Sequence, residues 1–390
     1  MSYQIAVYYW PNFHIDSRNA EKLGKGWTEW DLVRGAVPRF PGHAQPKAPE
    51  WGYADESDPM AMGREIQAMH DHGISAVIFD WYRYDDGTFL EGALRKGFLG
   101  AGNRNLVKFA LMWANHDYVD IFPASPGKPR RLWYPGAVTR KTFDEATDAV
   151  IRDYFSQPNY WKINGAPYFS IYEMQTMEKG LGGREALLGA LRHFREKTKA
   201  AGFPDLHLNA VAWGIDRLQD APAGGPDRAA IETMGDSTPG APQGGNPARS
   251  LGVDSVTSYC WIHHTSIPEP TGPYEDWADR AISQWPGMQE SYRVPYHPNV
   301  SVGWDSSPRT NPAGPWHLSQ GYPYKGVNTP AEFKKALVAA KSHLDHEPRS
   351  QGILTINSWN EWTEGSYLLP DKVHGMAYLD AIREVFHPVD

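Results

Sequence analysis

The sequence predicts one α/β domain over residues 1–390, a (β/α)8 TIM barrel with long βα loops at the C-terminal face of its sheet. Three observations predict it. Eight short apolar runs bounded by turn residues recur along the chain, and amphipathic stretches with helical spacing lie between them. The segments that follow the first, third, fifth and seventh runs are long, whereas connections such as Asp71 to Gly73 are short.

The runs are taken in order. Strand one is expected at Ile5 to Trp10, strand two at Ile74 to Tyr82 and strand three at Lys108 to Asn115. Strands four to six are expected at Tyr168 to Glu173, Leu206 to Trp213 and Ser255 to Cys260. Val300 to Asp305 and Gly352 to Trp359 complete the set, the last containing Ile353-Leu354-Thr355-Ile356, apolar enough for burial on both faces. Helices are expected over Pro59 to His72, Phe143 to Phe155, Arg184 to Ala201, Trp277 to Met288, Ala331 to His343 and Met376 to Val385. Phe89 to Phe98 is a short helix candidate, and Pro226 to Met234 a poor one inside a Gly/Pro-rich insertion. A doubly wound open sheet is the alternative, but no G-x-G-x-x-G or P-loop follows any run. The long segments are Pro11 to Asp58, His116 to Lys141, Gly214 to Asp254 and Ser306 to Thr329; whether the last two close one end of a groove decides between exo and endo action.

Composition narrows the class of partner. Lys+Arg 38 against Asp+Glu 46 gives a net charge of −8 without a basic run, which disfavours nucleic acid and anionic membranes as partners. Cys260 is the one cysteine, so neither an intrachain disulfide nor a cysteine-based zinc cluster can form. No apolar run reaches membrane-spanning length, and the opening "MSYQIAVYYWPNF" lacks the pattern of a signal peptide. The expectation is a soluble protein, cytoplasmic as it stands, and periplasmic or secreted if a leader has been removed. Trp 16, Tyr 20 and Phe 14 are an aromatic excess that suits a wet ligand with apolar faces, as a sugar has.

In a barrel the carboxyl ends of the strands converge on one pocket, and most of the eight runs carry a tryptophan within about two residues of the exit. The candidates for sugar binding are Tyr9 and Trp10 after strand one, Asp80, Trp81 and Tyr82 after strand two, and Trp113 and Asn115 after strand three. Glu173, Tyr259, His263, Trp304 and Asp305 follow from later strands, and Asn360 from the eighth. Trp113 and Trp304 are either stacking platforms or core residues. The first loop adds His14, His43 and Trp27, with Glu29 of "GWTEW" as a wall of the pocket. Arg309 either pairs with Asp305 across a turn or clamps substrate. His263 and His264 share one candidacy, and "HDH" at His70 to His72 splays its imidazoles on a helix and makes a poor metal site.

Glu361 and Glu364 stand three residues apart just past strand eight, between Trp359 and Gly365. One helical turn puts two such carboxylates on the same side, about 5–6 Å apart. That separation suits a retaining glycosidase. E-x-x-E is common on solvated helix faces, but here it follows a buried strand and is flanked by tryptophans. An acid pair in such surroundings should split its pKa values, giving one acid and one base.

At "NSWNEWTEGSYLLPD" with "GMAYLDAIREVF", and at "YYWPNFH" with "GKGWTEWDLVRGAVPRFPGHAQPKAP", the chain resembles the WbsX-like proteins related to glycoside hydrolase family 99. "ALMWANHD", "YWKINGAPYFSIY" and "VSVGWDSSPR" extend the resemblance, in order, over nearly the whole chain. It implies a (β/α)8 barrel and a cofactor-free, metal-free hydrolase of α-linked glycans, with endo-α-1,2-mannosidase as the characterised type. It further implies that Glu361 and Glu364 carry the chemistry. In that route Glu361 is the base that deprotonates the substrate's 2-hydroxyl, a 1,2-anhydro sugar forms, and Glu364 is the acid; Asn357 or Asn360 would hold Glu361 ionised. Where many of these proteins carry an aromatic/histidine run after strand two, this chain has "FDWYRYDD", Phe79 to Asp86, so the reaction type carries over and the sugar does not.

Three function classes remain at this stage. A glycoside hydrolase acting on an oligosaccharide or polysaccharide leads. A glycosyltransferase in polysaccharide biosynthesis would need a nucleotide-sugar site, and neither a phosphate-cradling loop nor a D-x-D motif is present. A carbohydrate-binding barrel without catalysis would use the tryptophans but not the paired acids.

Overall fold

The computed structural model describes residues 2–124, 130–216, 218, 247–265, 273–314, 324–325 and 328–387. Parallel strands run β1 Gln4–Tyr9, β2 Ala76–Tyr84, β3 Lys108–Trp113, β4 Ala166–Ile171, β5 His207–Val211, β6 Ser255–Thr257 and β8 Ile353–Asn357. The seventh, β7, comes in two pieces, Tyr296–His297 and Asn299–Ser301. Pro298 separates them because it has no N–H for the ladder. The first piece pairs with β6 and the second with β8, while β8 pairs with β1, so the sheet closes on itself as an eight-stranded barrel. Ile5, Val7, Val77, Ile78, Leu111, Phe169, Ile353 and Ile356 are all fully buried, as strands covered on both faces require.

The expected strand seven, Val300 to Asp305, is displaced toward the N-terminus. Its inner residues are polar, and they hydrogen-bond inside the barrel: Asn299 donates to Thr355 Oγ1 at 3.1 Å, and Thr257 and Thr355 hydroxyls lie 3.1 Å apart. Ser170, Asn209 and Ser255 continue this polar layer at 2.8 and 2.9 Å. Satisfied in this way, buried polar groups cost little.

Helices fill the outer ring. Asp58 caps Pro59–Asp71 by accepting from Met60 N at 2.9 Å, and Thr329 and Glu332 form a capping box on Pro330–His346. Arg184–Ala200 and Ala377–Phe386 match expectation closely. The stretch Phe143 to Phe155 becomes an α-helix, Arg140–Ala149, that runs into a π-helical turn, Val150–Phe155. Trp277 to Met288 divides into Tyr274–Ser283 and Trp285–Tyr292, with Pro286 in the first turn of the second piece. Phe89 to Phe98 is corrected: Gly87–Phe89 folds back as an antiparallel strand on β2, and only Ala93–Phe98 is helical, as a π turn. The candidate at Pro226 to Met234 lies outside the described residues, as does the body of the Gly214 to Asp254 insertion. No helix among the described residues is long and apolar enough to cross a membrane.

Candidate active site

Beyond β8 the chain makes one short hairpin, Asn360–Glu361 against Ser366–Tyr367, closed by a single 3-10 turn, Trp362–Glu364. This turn, and not an α-helix, puts Glu361 and Glu364 on the same side. Gly365 ends it at φ 64°, and a Cβ there would meet Asp305 Cβ at 2.7 Å and Asp305 N at 2.9 Å. Both the left-handed backbone and the close approach therefore demand glycine. Trp362 stacks on Tyr367 at 3.8 Å, and Glu361 N donates to Ser358 Oγ at 2.9 Å, so the hairpin is fixed from both sides.

Arg309, on the 3-10 turn Ser307–Arg309, reaches into this hairpin. It donates through Nη2 to Glu361 Oε2 at 3.1 Å and to Glu29 Oε1 at 3.2 Å, and through Nη1 to Glu364 Oε1. Its Nε donates to Thr363 Oγ1 at 2.8 Å, and its guanidinium lies 5.3 Å from the ring centre of Trp10. Burial opposes the charge on Arg309, but Glu364, Glu29 and Glu361 outweigh it and hold the guanidinium firmly protonated. Glu29 is itself anchored by Trp10 Nε1 at 2.5 Å and Asn12 Nδ2 at 2.7 Å. One cation thus gathers three carboxylates.

On its other oxygen Glu361 meets the hydroxyl of Tyr259 at 2.9 Å, and that hydroxyl is also 2.9 Å from Asp80 Oδ2. Burial pushes the Glu361 carboxyl well above the usual carboxylate range, and the charge of Glu364 pushes it further, against the pull of Arg309. Asp80 is raised well above its ordinary value, first by burial. The acid pair is therefore asymmetric: Glu361 is 2% exposed, whereas the Glu364 side chain keeps 14% of its surface. The upward push from burial falls on Glu361, the group that the family resemblance makes the base. Asn360 does not serve Glu361, since its amide bonds the Trp10 backbone at 2.8 and 2.7 Å and holds β1 to the hairpin. Tyr259 and Arg309 take that place.

Other candidates divide by side-chain direction. Trp10 and Tyr82 meet edge to face at 5.8 Å beside the cluster, and Trp27 packs against Phe122, whose ring lies 5.8 Å from Arg309. Asn115 accepts from Glu173 N and donates to Glu173 O, both at 2.8 Å, while the Glu173 carboxylate takes Thr176 Oγ1 at 2.6 Å and Trp213 Nε1 at 3.4 Å. His263 stacks on Trp213 at 4.6 Å, approaches Tyr172 Oη at 3.3 Å and lies 6.0 Å from the ring of Tyr259. This gives the site a second wall. His264 is buried apart from it, with its pKa lowered by burial to about 4.

Several expected pocket residues point elsewhere, because successive side chains on a strand face opposite ways. Tyr9 turns outward and donates to Glu65 at 3.3 Å. Trp113 is fully buried against Phe143 of the helix ring, with its Nε1 on Arg83 O at 3.1 Å, and Trp81 meets it edge-on in the same outer layer. His14 is held by Glu56 at 2.8 Å. Asp305 does not pair with Arg309; it accepts from His43 and Gln45 at 2.9 and 2.7 Å and anchors the loop behind Gly365. Trp304 sits partly buried in a two-residue strand, Trp304–Asp305, paired with Tyr324–Lys325. Thr363, Asn12 and Ser358 support the site without any signal in the sequence that set them apart. Among the described residues, no group of three or more His, Cys, Asp or Glu side chains is arranged to hold a metal ion.

Comparisons with known proteins agree on the architecture. The model of the family described as "Glycosyltransferase WbsX" matches residues 5–382. The uncharacterized protein WxcX of Xanthomonas campestris pv. campestris is 27% identical over 382 residues, 97% of this chain and 49% of that protein, so the chain spans about half the length of the curated relatives it matches. Among solved structures, the GH99 endo-alpha-mannosidase from Bacteroides thetaiotaomicron aligns with a TM-score of 0.56 at 15% identity, covering 98% of this chain and 96% of that one. A glycoside hydrolase-like protein aligns at 0.58 and 14% identity, covering 99% and 94%. The TIM-barrel fold expected from the sequence is the fold of these glycosidases.

Proposed function

Because the chain belongs to the WbsX family yet folds like glycosidases, we propose that it is a glycoside hydrolase cleaving an α-linked glycan with retention. One observation carries this reading: two carboxylates of unequal burial, Glu361 and Glu364, share the guanidinium of Arg309 at the C-terminal mouth of the barrel. Glu361 takes the role of base toward the substrate's 2-hydroxyl that the family resemblance gives it, with Arg309 favouring its ionised form against the push of burial, and a 1,2-anhydro sugar follows. Glu364, the more accessible carboxyl, protonates the leaving oxygen and then activates water. Trp10, Tyr82 and the Trp213–His263 pair supply the aromatic faces for sugar rings.

The family's description favours a second reading, a glycosyltransferase. That activity needs a nucleotide-sugar donor, whereas hydrolysis needs only glycan and water. Incubating the protein with α-linked oligosaccharides and assaying new reducing ends separates the two. Release without nucleotide, abolished in Glu361→Gln, supports the hydrolase; turnover only with a nucleotide sugar supports the transferase. Binding without turnover in either assay leaves a carbohydrate-binding barrel.

A further inference from the structure

The hydroxyl oxygen of Tyr259 lies 2.9 Å from Asp80 Oδ2 and 2.9 Å from Glu361 Oε1. A phenol has one proton and can donate it to only one of them. The second contact is a hydrogen bond only if that carboxyl carries a proton and donates it to the phenol oxygen. Asp80, Tyr259 and Glu361 are all buried, so a contact between bare oxygens would leave acceptors facing each other without a donor, at high cost. The row therefore holds one carboxyl proton.

Charge decides where that proton resides. Glu361 presents its remaining oxygen to the Arg309 guanidinium at 3.1 Å, which stabilises its ionised form. The remaining oxygen of Asp80, Oδ1, is buried and has no hydrogen-bond partner among the described residues. Tyr259 bonds Asp80, and Tyr8, Tyr82, Glu361, Glu364 and Arg309 lie within its electrostatic reach. Burial and Glu364 disfavour a charge on both Asp80 and Glu361; at Asp80 the Tyr259 hydrogen bond and Arg309 oppose them, but only Glu361 has the guanidinium bonded to it.

We propose that Asp80 is a proton-holding positioning residue: its neutral carboxyl donates to Tyr259, which turns the phenol proton toward Glu361 and keeps Glu361 in its ionised form. This gives Asp80 a defined task away from the substrate. It rests on the reading of Glu361 as base, but its test does not require turnover. The whole chain is labelled with 13C at the aspartate side-chain carboxyl and examined by infrared spectroscopy at mildly alkaline pH, where Asp216, held at about 6, is ionised. The expected result is an isotope-shifted band of a protonated carboxyl that disappears in Asp80→Asn, persists in Glu361→Gln and moves to higher frequency in Tyr259→Phe. Absence of that band from the wild-type protein, or its survival in Asp80→Asn, overturns the proposal. If Asp80→Asn does not fold, the band in wild type together with its shift in Tyr259→Phe decides the matter, and an unshifted band counts against it. A protein without hydrolytic activity that still shows the band contradicts the functional reading and leaves the proton on Asp80 established.

Discussion

The guanidinium of Arg309 donates to Glu361 at 3.1 Å, joining the loop after β7 to the first glutamate after β8. Glu29 and Glu364 bind the same cation, and the Glu29 and Glu361 side chains are almost wholly buried. Replacing Arg309 by Met leaves three carboxylates without compensation. The expected loss is about 3–5 kcal/mol at neutral pH, read from urea melts. Removing the cation takes away the group that pulls the Glu361 carboxyl down, so its already raised folded-state pKa rises further. The deficit should then be smallest below the unfolded carboxylate pKa of about 4 and grow as pH rises. A deficit independent of pH would mean that Arg309 acts through packing alone.

Glu65 offers a separate pH test away from the chemistry. It accepts from Trp359 Nε1 at 2.8 Å, and burial raises its pKa from 4.5 to about 8. A raised folded pKa gives stability that is fully present below the unfolded value and is lost as pH climbs toward about 8. Glu65→Gln imitates the protonated form and should remove this loss. The difference between wild type and variant should therefore change by on the order of 5 kcal/mol across that window. Parallel stability curves for the two proteins would show that Glu65 does not titrate there.

Trp113 tests the direction of the strand-exit tryptophans. Packed between β3 and Phe143, it belongs to the core, and Trp113→Ala should cost about 3–5 kcal/mol of stability. KM of the folded variant should be unchanged. Trp10 lies beside Arg309, and Trp10→Phe should raise KM, together with a stability loss from the Nε1 hydrogen bond to the buried Glu29. A large KM effect at Trp113 with normal stability would return it to the pocket.

Seven of the eight strands were legible because each falls in an apolar, β-branched or aromatic run. Strand seven was misplaced because Pro298 interrupts it and because Asn299 and Ser301 pack into a polar interior that alternation rules read as loop. The glutamate pair was legible from spacing and flanking tryptophans. Arg309 and Glu29 were singled out, but their joint contact with the pair was not legible: they are 280 positions apart, and no local pattern links them. The Tyr259 bridge between Asp80 and Glu361 is hidden for the same reason. Tyr9, Trp81 and Trp113 were misassigned because identity at a strand end does not reveal which face a side chain takes when the boundary is uncertain by one residue.

Division of labour between the glutamates predicts unequal variants. Glu364→Gln removes the proton donor, so it should slow substrates with poor leaving groups by about 100-fold or more, while activated aryl glycosides are largely spared. Glu361→Gln removes the base and should slow both classes alike. A substrate whose 2-hydroxyl is methylated should not turn over, since that oxygen is the attacking atom. Normal cleavage of the methylated substrate, or a trapped glycosyl adduct on Glu361, would make Glu361 an ordinary nucleophile.

The most direct measurement follows the anomeric proton of the first sugar released from an α-linked oligosaccharide, by NMR, with no nucleotide present. The account predicts the α anomer as first product, formed by the wild-type protein and absent with Glu361→Gln. A β first product, or turnover that appears only when a nucleotide sugar is added, would contradict it.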